Sequence, residues 1–335
     1  MIGSLSGIPL RGPASSSSPE FPWRHRAAGF GLRALTGAIG RMPASLAYAL
    51  ADAASLPLVA ATLLHERRVA PLGRGLFRNQ RIVFRERLTR RESRRLLFAW
   101  ARHMCRLVVD FCRMPRLGAG NFERSVETQA FRELIPLVEE GRGVICVSGH
   151  LGVFELCPYL PSLVGFPITV VVRPTGIPPV DAVLTKIRSA SGTRVLTKWG
   201  ILLPLKRVLE RGEMVGLLAD EDTSERVVFA PFLGTLAATT PSAAFLQRVT
   251  GAPIVVASVN RIGRGRWRCH VWQVIRAQPG ADPERAEREV TALVNEALSR
   301  AILAYPEQWF WGSRRFATRP AGEKPGPDGL PPRAS

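Results

Sequence analysis

The sequence predicts an α/β fold fronted by a membrane-associated helix, on three observations. Short β-branched runs alternate with amphipathic helical stretches, which indicates strands packed against helices. With 335 residues and 46% hydrophobic content, the chain can bury a full core without disulfide staples. Ala44 to Leu64 is a run of 21 residues whose only charge is Asp52.

Residues 1–26 are rich in Ser, Pro and Gly and are expected to be disordered. They lack the compact apolar run and small-residue cleavage site of a signal peptide. Residues 27–68 are expected to form a membrane-associated helical segment. The run from Ala44 is long enough to cross a bilayer, but its alanines, Asp52 and Pro57 weaken insertion, which favours an interfacial or shallowly embedded helix. A buried core helix is the other reading. If the segment anchors, His65-Glu-Arg-Arg68 just after it keeps the main domain on the cytoplasmic side.

The main domain is expected over 69–320. Thr89-Arg-Arg-Glu92 is a capping box opening a helix that carries Leu96, Leu97, Trp100, Met104 and Leu107 at helical spacing. A second helix is expected near Thr128 to Glu140, ended by Gly141. Strands are expected at Gly143 to Ser148, Ile168 to Arg173, Met214 to Ala219, Ile254 to Arg261 and Trp267 to Ile275. Thr240-Pro241 caps one helix, and Asp282-Pro283-Glu284 opens the last, which Pro306 stops. Residues 321–335 read as a disordered Pro/Gly-rich tail.

The formal charge is +19, carried almost wholly by arginine, with 13 arginines between Arg67 and Arg106. Such a stripe attracts anionic lipid headgroups, phosphorylated sugars, an acidic carrier protein or nucleic acid; an ordinary solvated surface accounts for part of it. Nucleic acid is not expected as a partner: there is no recognised binding motif and only three tyrosines are present for base stacking. Five cysteines without metal-ligand spacing fit a reducing cytoplasm, and no metal is expected.

The most informative stretch is Val144-Ile-Cys-Val-Ser-Gly-His150-Leu-Gly-Val-Phe-Glu155. An apolar strand stops at a glycine, a histidine follows, and a carboxylate comes five residues later. Residues five apart on a helix point about 140° away from each other, so the two side chains cannot pair mid-helix. They can meet if His150 sits in the turn and Glu155 rides the helix after it, expected from Phe154 to Leu160. Spacing alone fits equally a core histidine beside a surface glutamate.

Ser-Gly-His150-Leu-Gly-x-x-Glu155-Leu resembles the H-x-G-x-x-E-L signature of the late acyltransferases of lipid A biosynthesis, within the lysophospholipid acyltransferase superfamily. Further similarities follow in order: Val170-Val-Val-Arg173-Pro, Leu218-Ala-Asp220-Glu-Asp222, Phe229-Ala-Pro-Phe-Leu-Gly234, Pro306-Glu-Gln-Trp-Phe-Trp311 and Arg314-Arg315-Phe-Ala-Thr-Arg319-Pro. Coverage runs from about Phe30 to Pro320. Val153-Phe154 and Thr175-Gly176 depart from residues common in relatives, which leaves donor and acceptor identity open.

The resemblance implies a glycerolipid acyltransferase-like catalytic domain with a mixed central sheet flanked by helices. It implies an O-acyltransferase moving a fatty acyl chain to a hydroxyl of a lipid A precursor or related glycolipid on the inner membrane. The donor implied is an acyl-acyl carrier protein rather than acyl-CoA, with no bound cofactor. His150 is then the general base and Glu155 its partner. Backbone amides near Gly149 and Gly152, or Arg173, are candidates for the oxyanion. Asp220, Asp222, Arg314, Arg315 and Arg319 are candidates for substrate binding, the arginines by meeting phosphates or else by pairing with carboxylates. Two alternatives stay open: an acyl-CoA-dependent acyltransferase acting on another glycolipid or lysophospholipid, and a noncatalytic basic protein binding membranes or nucleic acid.

Overall fold

A computed structural model describes residues 22–67, 71–197, 200–278, 280 and 282–334. Residues 1–21, most of the expected disordered N-terminus, lie outside the described residues. Three helices come first: α1 (Trp23–Arg41), α2 (Ala44–Arg67) and α3 (Pro71–Phe84). The first begins at Trp23, inside the segment expected to be disordered. Helix α4 (Arg90–Arg113) opens with the expected capping box, in which Thr89 Oγ1 accepts from Glu92 N and the Glu92 carboxylate accepts from Thr89 N.

The rest of the chain alternates as expected: β1 (Val126–Glu127), α5 (Phe131–Glu139), β2 (Val144–Ser148), α6 (Leu156–Leu163), β3 (Ile168–Val172), α7 (Pro178–Arg188), β4 (Arg194–Thr197), α8 (Leu202–Glu210) and β5 (Met214–Leu218). A two-stranded hairpin of β6 (Val228–Phe232) and β7 (Thr235–Thr239) follows. Then come α9 (Ser242–Thr250), β8 (Ile254–Gly263), β9 (Arg266–Ile275) and α10 (Pro283–Ala304).

Seven strands make one mixed sheet in the order β1-β9-β8-β2-β5-β3-β4. Strands β8, β2, β5, β3 and β4 run parallel, whereas β9 is antiparallel to β8 and β1 is parallel to β9. The centre of the sheet is covered on both faces, so β2 is a continuous apolar run rather than an alternating one. Ile145 and Val147 enter a core shared with α8, α9 and α10; Val144 and Cys146 enter one shared with α5. From β2 the chain proceeds to β3 on one side, while β8 returns on the other. That reversal opens a crevice at the carboxyl end of β2, where open α/β sheets receive ligands.

The C-terminal tail corrects an expectation. Residues 321–334 are not disordered: Leu330 is buried in the main core, Arg333 Nη2 donates to the Val83 carbonyl at 3.0 Å, and Ala334 N donates to the Gly234 carbonyl at 3.1 Å. Arg85 also pairs with Asp328. The adjacent buried Leu330 and Pro331, one ion pair and one arginine–carbonyl hydrogen bond hold the tail, a pattern too sparse to register as periodicity.

Candidate active site

Strands β2 and β5 are adjacent, parallel and in register, with Val144 opposite Met214 and Ser148 opposite Leu218. Each is followed at the same offset by its chemical residue: His150 two residues past the end of β2, Asp220 two residues past the end of β5. The register therefore delivers imidazole and carboxylate to the same point. His150 Nδ1 lies 2.9 Å from Asp220 Oδ1, and the His150 backbone N–H donates to Asp220 Oδ2 at 2.7 Å. Gly149 permits this approach, because a Cβ there would stand 2.9 Å from the Asp220 carboxylate.

Asp220 is almost wholly buried and is also bound by the indole N–H of Trp309 at 2.8 Å. Burial alone would raise its pKa, but the charge and donors of His150, with Trp309, hold it below the ordinary carboxylate value. An ionised Asp220 accepts, so Nδ1 of His150 carries the proton and Nε2 of the neutral ring is left as the basic atom. Burial pulls the His150 pKa down, but Asp220 first, then Glu221 and Glu155, push it up to about 9.

The expected His150–Glu155 pair is not the one formed. Glu155 is held by Arg188, whose Nε and Nη2 reach its two oxygens at 2.9 and 2.7 Å. The reason is local. Gly152 adopts φ +63° and Leu151–Gly152 forms bridges with Trp309 and Val259, so an extended turn separates the histidine from α6. Helix α6 starts at Leu156, later than expected, and Glu155 precedes it rather than riding its first turn.

The backbone candidates also divide. Gly152 N donates to the Gln308 carbonyl at 2.9 Å and is occupied, leaving Gly149 as the backbone candidate for an oxyanion. The Gly152 carbonyl accepts from Nε2 of His103 at 3.2 Å, so a histidine of α4 braces the turn that carries His150. Burial pushes His103 down to about 3, and it stays neutral.

Arg173 follows β3 at the same sheet edge, exposed, 3.7 Å from Glu221. The closing arginines separate. Arg315 is fully buried, donating to the carbonyls of Glu221 and Ala238 and to Thr239 Oγ1 at 2.7 Å, with its guanidinium 4.4 Å from the Phe232 ring centroid. It pins the loop after β5, closer to the stabilising alternative than to the phosphate-binding one, but through carbonyl and hydroxyl oxygens rather than carboxylates. Arg319 is likewise engaged, by Glu323 at 2.7 and 2.8 Å and the Leu236 carbonyl. Asp222 accepts from Thr318 N and Oγ1 at 3.2 and 2.8 Å. Arg314 alone of the three is exposed.

His150 lines a cavity of about 850 Å³ that reaches both faces of the sheet around its carboxyl edge. One arm runs between the sheet and α5 and α6, past Ser148, Cys146, Cys157, Val170 and Leu134; the other passes Thr240 and Ala243 towards Val294. The cavity's charged lining groups are few: Arg173, Glu221, Asp222, Glu225 and Arg226, which follow β3 and β5, and the Glu155–Arg188 pair. An apolar interior with few convergent polar groups suits an amphiphile. Among the described residues, no group of three or more His, Cys, Asp or Glu side chains is placed to hold a metal ion.

The fold and this site define an α/β protein that seats a histidine–carboxylate pair at the carboxyl edge of its sheet, beside a largely apolar cavity. Residues 39–318 match the model of the bacterial lipid A biosynthesis acyltransferases, and the chain belongs to that family. It is similar to the lipid A biosynthesis lauroyltransferase of Escherichia coli K12, 34% identical over 155 residues, which is 45% of this chain and 49% of that protein. It is also similar to the palmitoleoyltransferase of the same organism, 28% identical over 187 residues, 55% of this chain and 59% of that one. A Haemophilus influenzae lipid A biosynthesis acyltransferase is 26% identical over 187 residues, 55% of this chain and 57% of its own length. The matched regions thus span about half to three-fifths of each relative.

Proposed function

We propose that this protein transfers a fatty acyl chain from acyl carrier protein to a hydroxyl of a lipid A precursor at the cytoplasmic face of the inner membrane. The observation that carries the proposal is the His150–Asp220 pair, 2.9 Å apart, at the mouth of the apolar cavity. Family membership and the names of the relatives supply the acceptor class. A basic chain of +19 suits an acidic carrier protein.

In the first step the acceptor hydroxyl attacks the thioester carbonyl while Nε2 of His150 takes its proton. Asp220 stabilises the imidazolium that forms and fixes the ring. Negative charge grows on the former carbonyl oxygen, where the Gly149 N–H or the Arg173 guanidinium stabilises it. The tetrahedral intermediate then expels the thiolate, which leaves as a thiol with the proton returned by His150. The acyl chain meanwhile occupies the arm lined by Cys146, Cys157 and Leu134. Glu155, held by Arg188, positions the start of α6 against α7.

The test is mass spectrometry of lipids from a strain lacking its own late acyltransferase and expressing this chain. One acyl group gained on lipid A, and absent with His150→Ala, is the expected result. Gain on a phospholipid would redirect the acceptor, and no gain anywhere would refute acyl transfer. Purified protein offered acyl-acyl carrier protein or acyl-CoA in parallel decides the donor.

A further inference from the structure

Helix α2 has two faces with different fates. Tyr48, Ala51, Ser55, Val59 and Thr62 are buried against the rest of the protein. Asp52 is held on that side by Arg106 at 2.6 and 2.8 Å and by Arg264 at 2.8 Å. The outward stripe is Leu46, Ala49, Leu50, Ala53, Leu56 and Ala60; every exposed residue from Leu46 to Ala60 is Ala, Leu or Pro. Ala44–Leu63 is long and apolar enough to cross a bilayer. Crossing would strip the buried face from the core and carry an ionised Asp52 into hydrocarbon, which is unfavourable. An apolar face on one side and a fixed protein contact on the other suit a helix lying in the plane of the interface.

Helix α4 runs antiparallel beside it, since Tyr48 bonds Asp110 and Asp52 bonds Arg106. Continuing that register sets Ala60 level with Phe98, which is 44% exposed. Phe98 stands among Arg90, Arg91, Arg94, Arg95 and Arg102 along a shallow groove. Glu92, the one acid between Arg90 and Arg102, is committed to the Thr89 cap. The neighbouring ion pairs, Arg85–Asp328 and Arg106–Asp52, lie beyond either end of the stripe. Two rules of helix electrostatics are broken here. Cations crowd the N-terminal turns, where the helix dipole is positive, and Arg90/Arg94 and Arg91/Arg95 repel at four-residue spacing. An external anion relieves both penalties. With an exposed phenylalanine at its centre and an apolar helix alongside, the anion that fits is a lipid phosphate in a surface, not a free ion.

We propose that α2 lies half-embedded in the interface of an anionic bilayer without crossing it, and that the α4 arginines bind lipid phosphates beside it. This extends the membrane placement in the function proposed above but uses none of its catalytic residues, so docking and acyl transfer can fail separately.

The test is cosedimentation of the full chain with vesicles of phosphatidylcholine alone or mixed with phosphatidylglycerol. Binding should favour the anionic vesicles, fall with salt, and weaken roughly a hundredfold in Arg91→Gln/Arg94→Gln/Arg95→Gln, at about fivefold per charge lost. Leu50→Asn/Leu56→Asn should weaken binding to both vesicle types. Fluorophores on Leu46→Cys, Ala53→Cys and Ala60→Cys should report one shallow depth against lipid-borne quenchers. If the arginine variant binds anionic vesicles as the parent does, or Ala53 lies far deeper than the two ends, the proposal is overturned. Loss of transfer from acyl carrier protein in detergent, with vesicle binding unchanged, would instead assign the stripe to an acidic protein surface and also overturn it. A parent chain that binds vesicles but transfers no acyl group would refute the catalytic reading alone.

Discussion

Asp220 grips His150 twice, through the ring at 2.9 Å and through the backbone N–H at 2.7 Å, so one carboxylate fixes both the imidazole and the turn that carries it. Asp220→Asn keeps the shape but removes the charge that stabilises the imidazolium, and kcat should fall by about a hundredfold to ten-thousandfold. Glu155→Gln weakens the grip on Arg188 instead, costing about 1–3 kcal/mol of stability, with kcat changed less than about tenfold. Steady-state kinetics and thermal unfolding of both variants check this. A collapse of kcat in Glu155→Gln with stability intact would return the partner role to Glu155.

The same contact sets the pH dependence. Burial opposes charge on His150, but Asp220 and its neighbours win, and the pKa reaches about 9, above the unfolded value of about 6.5. The protonated ring therefore adds stability that is fully present below pH 6.5 and is lost as pH rises through 9. In the proposed reaction the neutral ring acts as the base, so kcat/KM should climb across the same window, and activity and this part of stability trend oppositely. In Asp220→Asn the ascending limb should move to lower pH. A limb near 6.5 that ignores Asp220→Asn would refute the assignment.

Much of this was legible in the chain. Short apolar runs, most of them rich in β-branched residues, marked β2, β3, β5, β8 and β9, and the Thr89–Glu92 box and Asp282–Pro283 marked the starts of α4 and α10. The partner of His150 was not, because Asp220 lies 70 residues away and only the pairing of two parallel strands brings it close. Yet the signal existed: in Val144 to His150 and Met214 to Asp220 the polar residue follows the strand start by the same interval. Short edge strands such as β1 and β4 carry too few residues for a pattern. Whether Arg315 or Arg314 faces outward is decided by the β6–β7 hairpin packing over the loop, which no local spacing encodes.

Gly152 should tolerate no side chain. Its φ is +63°, and a Cβ would stand 2.2 Å from the Val259 carbonyl oxygen, so backbone rather than a flexible side chain must move. Gly152→Ala should cost more than about 2 kcal/mol and lower kcat, because the turn holding His150 shifts with it. Melting curves and kcat decide; a fully stable, active variant would show that the turn is not constrained.

The cavity arm beside β2 should set which acyl chains are accepted. Burial pushes the thiols of Cys146 and Cys157 up to about 12 and 11, so both remain neutral and serve as apolar wall. Cys146→Phe fills the arm without touching the His150–Asp220 pair. Transfer should shift towards shorter chains, with kcat/KM for long donors down about tenfold or more. Unchanged chain preference, read by mass spectrometry of the product, would place the acyl chain in the other arm.

His103 should act on the reaction without touching it. Its Nε2–H holds the Gly152 carbonyl at 3.2 Å from α4, while Gln308 and Val259 take the N–H groups of Gly152 and Val153 at 2.9 and 2.7 Å. The turn behind His150 is thus clamped from three sides. His103→Leu keeps the bulk but leaves the carbonyl buried and unpaired, at about 1–3 kcal/mol. If the clamp positions His150, kcat should fall with KM little changed, and His103→Gln, whose amide N–H can reach the same oxygen, should restore most of the loss. A variant that loses stability but keeps its kcat would make His103 a core residue only.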